Sequence, residues 1–365
     1  MKDNFLPVRV FMGSVTNVSN RPFRRLVTEL GADATLSEMV IAHYASHGGR
    51  QDLALMKRGE TEKIFGIQLV GGNPSQLDKA AQFALDAKPD FIDFNCACPH
   101  RSAVAHRSGA YLLQKPKNLA PLLETLRKTV NIPLTIKIRK GFDEFDNVVD
   151  EVVHIAEDCG IDAVFIHART KFAQYRGPND WQLIESVAEK SRLPIIGCGD
   201  LAHGVEVIEK MKNSPCAGFA LARGALMKPW IFKEIKEGHT LDPSSEERLE
   251  LLRKLANYSL DDFGYDAYGH AKARKFLHEQ MTFLARYVPV GAYGRELPMQ
   301  EREHEWTPRN ELEKLMATTK KEAYDELLHL VGFDDNIVEK EQKNDKPQTT
   351  SDQNVTLNDA ENSIK

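Results

Sequence analysis

Cysteine is scarce in this chain: five residues in 365, at positions 96, 98, 159, 198 and 216. So few, and an odd number, exclude a disulfide framework, and the thiols are expected to be reduced. Cys96 and Cys98 stand as C-x-C with no second cysteine or histidine pair at zinc-finger spacing, so no structural metal is expected. No apolar run approaches the roughly 20 residues that a membrane helix needs, and no membrane partner is expected. The start, MKDNFLPVRVFMG, lacks a basic segment followed by a long apolar one. No secretory leader is expected, and the default compartment is the cytoplasm. The dinucleotide fingerprint G-x-G-x-x-G is missing after the first apolar run, which argues against an open Rossmann-type sheet. Acidic residues outnumber basic ones, 53 to 48, for a net charge of −5. Such a chain is not coated in positive charge, although local basic patches remain compatible with it.

What is present is an alternation of short apolar runs with amphipathic stretches from Val8 to about Phe232, the pattern of repeated β-α units. Eight runs are predicted as strands: Val8 to Met12, Ala34 to Ser37, Ile64 to Leu69, Phe91 to Asn95, Leu134 to Ile138, Ala163 to His167, Ile195 to Gly197 and Gly218 to Ala222. Eight fit an α/β fold of the (β/α)8 TIM-barrel type better than a five- or six-stranded open sheet. Polar residues recur where these runs stop: Gly13, Glu38, Gln68, Asn95 with Cys98, Lys137 with Arg139, His167 with Arg169, Asp200 and Arg223. In a barrel those ends converge on one face, where active sites are built.

From about Glu246 the pattern becomes helical, in ERLELLRKLANYSLDDF, AYGHAKARKFLHEQMTFLARYV and RNELEKLMATTKKEAYDELLHLVGF. Ser244 or Ser245 is placed to cap the first of these helices. The expected organisation is a catalytic barrel over residues 1–240, a helical bundle domain over 241–333, and a disordered tail over 334–365, whose composition is poor in bulky apolar residues.

The stretch FNCACPHRSAVAHRSGAYLL puts a thiol, Cys98, beside a proline just beyond the fourth run. The turns Gly197 to Asp200 and Ala222 to Ala225 follow runs seven and eight, the position of a phosphate site in many barrels, and one of them carries Arg223. The alternative is that their glycines only make tight turns. A phosphate there, with Gln68, Lys137 and His167 at other strand ends, suggests flavin mononucleotide. Lys137 would stabilise negative charge on the reduced ring.

The motifs MGSVTNVSNRPFRRL, GADATLSEM, IFGIQLVG, DFNCACP with SGAYLL, TIKIRKG, IHARTKFAQYRGPNDW, GCGDL and ARGALMKPWIF occur in that order. In these the chain resembles the tRNA-dihydrouridine synthases, most closely the eukaryotic subgroup that modifies the variable-loop uridine 47, over about Val10 to Phe333. The resemblance implies an FMN enzyme, reduced by NADPH or NADH, that saturates the C5–C6 bond of a uridine in tRNA, with hydride to C6 and a proton from Cys98 to C5. It implies flavin contacts from Phe11, Met12, Gly13, Gln68, Lys137 and His167, and phosphate contacts from Cys198, Gly199, Asp200, Ala222 and Arg223. Asn95 would hold the uracil, and Arg139 and Arg169 would touch substrate. The protein is expected to act as a monomer, in the cytoplasm or, in a eukaryote, also the nucleus.

This chain departs from the family pattern at Ala97 and Ala168, where glycine is usual, at Cys198, where asparagine is usual, and in the segment LPMQEREHEWTPRNE. The CCCH zinc fingers of many members are absent from it, so RNA affinity is expected to depend on the barrel rim and the helical domain. Candidate phosphate contacts are Arg101, Arg107, Lys171, Arg176, Lys272, Arg274 and Lys275, each of which also reads as a solvated surface charge. The stripe Phe276, Leu277, Met281, Phe283 and Leu284 reads as bundle core, and Trp181 and Trp230 as packing residues. Two rival functions stand beside the first: an FMN reductase of a free pyrimidine, and a tRNA-binding flavoprotein without turnover.

Overall fold

The computed structural model describes residues 6–290 and 306–333. The tail expected over 334–365 and most of LPMQEREHEWTPRNE lie outside the described residues. Eight parallel strands close into one barrel in sequence order: β1 Val10–Met12, β2 Ala34–Ile41, β3 Ile64–Val70, β4 Phe91–Cys96, β5 Leu134–Arg139, β6 Ala163–His167, β7 Ile195–Cys198 and β8 Gly218–Leu221. All eight predicted runs are strands, with ends displaced by a few residues. The largest extension is β2, where a register shift between Leu36 and Met39 lets pairing with β3 continue to Ile41.

Period-two alternation sorts each strand into an inward and an outward set. Outward residues such as Ile92, Phe94, Ile136 and Ile138 pack under the surrounding helices in the main core. Inward residues form two layers. The lower is apolar and holds Phe11, Phe91, Phe165 and Ile196, with Phe11 edge-on to Phe91 and Phe165 at centroid separations of 6.3 and 5.4 Å. The upper is polar and faces the carboxyl ends of the strands.

Helices start where the sequence supplies caps. Asn20, Asn73 and Asp180 each accept a backbone N–H of the first turn, and Ser244 forms a full capping box with Glu247 at the head of Ser245–Phe263. That helix lies on Arg21–Glu29 of the barrel, held by Arg21 to Asp262, Arg25 to Asp261 at 3.0 Å and Lys254 to Glu29 at 3.6 Å. Helix Ala267–Leu284 adds a bond from Gln280 to the Val18 carbonyl. As the sequence indicated, Phe276, Leu277 and Met281 are bundle core, and Trp230 packs edge-on against Tyr287. The third helical stretch is broken into Glu311–Met316 and Lys321–Leu330, because Lys320 is extended and serves as an N-cap.

Arg24 and Glu62 pair at 2.7 Å with both side chains inaccessible to solvent, and Glu62 also accepts the Thr35 hydroxyl and the Gly59 N–H. Removing one partner of such a pair strands the other charge in the interior. Arg24→Leu is expected to lower unfolding free energy by about 3–5 kcal/mol, read from the midpoint of a denaturant titration at constant slope. Unaltered stability would show that the pair does not hold the barrel wall in this way.

Candidate active site at the carboxyl ends of the strands

The upper layer is a hydrogen-bonded chain across β3, β4 and β5, in which register sets Gln68 beside Asp93 and Asp93 beside Thr135. Asp93 is fully buried and accepts from Gln68 Nε2 and from the Thr135 hydroxyl, both at 2.7 Å. Asn95 Nδ2 donates to Gln68 Oε1 at 2.8 Å. The Asn95 carboxamide oxygen then accepts the backbone N–H groups of Ala97 and Cys98 at 2.9 and 2.8 Å. Gln68 and Asn95 therefore shape the loop beyond β4, and Asn95 stands beneath that loop with its oxygen engaged. Asp93 and Thr135 are not among the sequence candidates, although alternation from Asn95 and Lys137 places both on the inward face.

Cys98 is the one cysteine of the five that is not buried. Its carbonyl accepts the Ala110 N–H at 3.0 Å. Gly109, at φ +60°, lies so close that a Cβ would stand 2.8 Å from that carbonyl. Cys96, two residues earlier, faces outward and is packed in the core. Alternation alone would put positions 96 and 98 on one face; β4 ends at Cys96, and the turn beyond it carries Cys98 away from the core that holds Cys96. Ala97 and Ala168 do not have positive φ, so neither departure from glycine strains the backbone.

Around Cys98 the cations are arranged unequally. Arg139 is buried and donates to the carbonyls of Ala97, Thr170 and Gln174 at 2.8–3.0 Å, tying the β4 loop to the β6 loop. Arg169 clamps Asp200 with two bonds, at 2.9 and 2.5 Å, and donates to the Gly177 carbonyl. Arg223 reaches Asp200 at 3.2 Å and lies over the Tyr175 ring at 4.4 Å. Lys137, half-buried at the barrel mouth, forms no hydrogen bond or ion pair with a described residue.

These surroundings set the protonation states. Burial, reinforced by Arg139, Lys137, Arg169 and Arg223, holds His167 well below the ordinary histidine range, so the ring is neutral. Arg169 Nη1 lies 3.3 Å from His167 Nε2, which places the ring proton on Nδ1. Burial pushes the Cys98 thiol up, against the opposing pull of the His100 N–H and of Arg139 and Lys137. Burial likewise raises Asp93 to about 6, and Cys198 to about 12.

The remaining sequence candidates divide by where they point. Phe11 forms the floor of the barrel, below the polar layer, and the Met12 side chain faces the outer core. From β1, the backbone of Met12 and Gly13 is nearest the mouth. Cys198 joins Phe11 and Phe165 in the interior, with its carbonyl bonded to Asn179 Nδ2 at 3.0 Å. A Cβ on Gly199 would stand 2.8 Å from both Asn179 and His167. Ala222 caps the short helix Arg223–Met227. Among the surface candidates, Arg274 pairs with Asp325 at 2.6 Å, and Lys171, Arg176 and Lys272 lie over the rings of Phe142, Phe172 and Phe263.

The donor set fits a flavin mononucleotide. An unpartnered ammonium at Lys137 and a neutral imidazole at His167 stand at the mouth, with Gln68 buried behind them and its amide held by Asp93 and Asn95. The turns after β7 and β8, with Gly199 and Arg223, adjoin His167. Among the described residues no cluster of histidine, cysteine, aspartate and glutamate is built to hold a metal, and no helix is long and apolar enough to cross a membrane.

A closed barrel whose polar groups converge at the carboxyl ends of its strands is the architecture of a barrel enzyme. The chain belongs to the dihydrouridine synthase (Dus) family, whose model matches residues 14–284. It is 36% identical over 316 residues to a human tRNA-dihydrouridine(47) synthase [NAD(P)(+)]-like protein, a match covering 86% of this chain and 48% of that one. It is 37% identical over 327 residues to the tRNA-dihydrouridine(47) synthase [NAD(P)(+)] of Cryptococcus neoformans, covering 84% and 45%. The chain spans about half the length of the curated relatives it matches. Histamine dehydrogenase from Rhizobium sp. 4-9 shares the fold, with a TM-score of 0.51 at 14% identity over 68% of this chain and 49% of that one.

The Asp93 carboxyl titrates near 6 when folded and, as a free side chain, at about 3.9. Its contribution to stability is therefore fully present below pH about 4 and is lost as pH rises through about 6. Relative to Asp93→Asn, the cofactor-free wild-type protein is expected to lose about 2–3 kcal/mol between those limits. Unfolding titrations at several pH values read this directly, and a difference independent of pH would show that folding leaves the Asp93 pKa unshifted.

Proposed function

We propose that this chain is a flavin-dependent tRNA-dihydrouridine synthase that reduces the C5–C6 double bond of the variable-loop uridine 47, with FMN as cofactor and NADPH or NADH as reductant. The observation that carries this reading is the placement of Cys98. It is the one cysteine not fully buried, on a loop fixed by Asn95 and Arg139, at the end of the barrel where Lys137 and His167 stand. The similarity to tRNA-dihydrouridine(47) synthases supports the substrate, and membership of the family supports the cofactor chemistry.

FMN held at the mouth would supply a hydride for C6 of the uracil. Cys98 Sγ–H then delivers a proton to C5, where negative charge develops, and burial keeps that proton on sulfur near neutral pH. Lys137 would hold the polar edge of the flavin and favour negative charge there, and neutral His167 would bond it without adding a second full charge. Gly199, Asp200, Ala222 and Arg223 would surround the phosphate, with Asp200 orienting Arg223 and Arg169. Asn95 and Arg139 act by keeping the thiol in place, and Arg169 by holding His167. Because the uridine lies inside folded tRNA, the base has to leave its stack to reach Cys98.

In this reading residues 1–240 are the catalytic barrel and 241–333 a domain that grips tRNA. The reading extends to a monomer acting in the cytoplasm and, in a eukaryote, also the nucleus.

The test is dihydrouridine mapping on tRNA incubated with the purified protein, NADPH and FMN. Reduction at uridine 47 is the expected result; reduction only in the D-loop would overturn the position, and none at all the reaction. Cys98→Ala is expected to keep its flavin and its tRNA affinity while product formation falls by about 10²–10⁴-fold, the usual weight of a positioned acid. Lys137→Met is expected to purify with less flavin, read from visible absorbance. Full flavin content in that variant would place Lys137 outside the cofactor site.

A further inference from the structure

Carboxylates are spread along this chain, yet none stands between Glu38 and Asp52 or between Asp93 and Glu124. The first gap covers the end of β2 and the loop after it, and the second covers the β4 loop that carries Cys98. The loop after β3 joins the two. A Cβ on Gly71 would stand 2.9 Å from the Ala42 methyl, and one on Gly72 would run into the Arg107 carbonyl. Three consecutive βα loops are thus packed together on the rim beside Cys98.

The surface they make is basic and aromatic. His43, Tyr44, His47, Arg101 and Arg107 are all exposed. The His43 ring meets those of Tyr44 and His47 at 5.2 Å each, and Gln76 Nε2 lies 3.1 Å from its Nδ1, so the three rings are an ordered group. Neither arginine pairs with a carboxylate of a described residue. Arg107 also has φ +51°, a conformation that glycine or asparagine adopts at less cost. Its exposed side chain makes no hydrogen bond to a described residue that would account for an arginine there. The loops after β5 and β6 differ: the β5 loop carries Asp143 and Glu144, and the cations Lys171 and Arg176 of the β6 loop lie over neighbouring rings.

We propose that the rim formed by the loops after β2, β3 and β4 is the surface on which the RNA flanking the reacting uridine lies, with Arg101 and Arg107 on its phosphates and the exposed Tyr44 ring against an unpaired base. This rests on the RNA substrate proposed above. An acid-free surface with unpaired guanidiniums and aromatic faces is the chemistry that takes up single-stranded nucleic acid. Its contact with the Cys98 loop couples RNA position to the thiol.

The test compares the flavin-loaded protein with the variant Tyr44→Ala/Arg101→Gln/Arg107→Asn, in which asparagine tolerates the left-handed backbone. Expected are a KM for tRNA raised about tenfold or more, kcat within about twofold and unchanged flavin content. Two lost phosphate contacts should make the dependence of log affinity on log salt shallower by about 1.4–1.8. Arg101→Lys/Arg107→Lys should recover most of the affinity, because the charge remains. An unchanged KM and salt slope overturns the proposal, as does a fall in kcat alone. The same losses from Lys171→Gln/Arg176→Gln with none here would place the RNA on the loop after β6. If the wild-type protein carries flavin but reduces no uridine, the proposed reaction fails, and tRNA-binding isotherms still decide the surface. Absence of tRNA binding by the wild-type protein would defeat both.

Discussion

One oxygen atom, Asn95 Oδ1, accepts two successive backbone N–H groups where β4 gives way to its loop, and the geometry around Cys98 follows from that. Beyond the last ladder pair these N–H groups have lost their strand partner. Left unbonded in a buried position they would cost about 1–3 kcal/mol each. The carboxamide can take both because its own nitrogen is held by Gln68, which is held in turn by Asp93. Asp93 keeps its place through the Thr135 hydroxyl on the next strand. A chain of side chains across three strands thus fixes a loop that no strand pairing reaches. A second constraint comes from Arg139, which binds the carbonyl of Ala97 on the other side of the same turn.

The balance of charge near the thiol decides what chemistry it can perform. Cations favour thiolate, and burial favours thiol. Here Arg139 and Lys137 pull the Cys98 pKa down, yet burial is the larger effect and the net shift is upward. The arginines are also diverted: Arg139 onto carbonyls, Arg169 and Arg223 onto Asp200. The site therefore suits a proton donor better than a nucleophile. The same cations, with burial, keep His167 uncharged, so positive charge at the mouth is concentrated on Lys137.

Much of this was legible in the sequence because it depends on local pattern. Each strand is a short apolar run bounded by turn residues, and a polar residue closing such a run must lie at the barrel mouth. Gln68, Lys137 and His167 were found in that way. What a side chain does there was less legible, because its partners lie far away in sequence. Arg139 reads from the sequence as a substrate contact, and its hold on the carbonyls of Ala97 and Thr170, 42 and 31 residues away, is visible only in the fold. Asp93 was hidden inside an apolar run, although alternation with Asn95 marks it as inward. Phe11 and Met12, adjacent in sequence and both named as flavin contacts by the resemblance, have side chains on opposite sides of the barrel wall.

Net charge misleads for a related reason. A total of −5 describes a mildly acidic protein, but a polyanion responds to the cations left over after carboxylates are paired. Where barrel and helical domain meet, pairing is dense: Arg21 and Arg25 hold Asp262 and Asp261, and Lys254 holds Glu29. Those charges fix one domain on the other and cancel there. The rim beside Cys98 has no carboxylate with which to cancel, so its arginines keep their full field toward solvent. An attractive field over only about 8–10 Å at physiological salt is enough to favour phosphate on this rim without making the whole surface adhesive to RNA. Excess acid elsewhere works in the same direction, since it disfavours every other docking of the same polyanion.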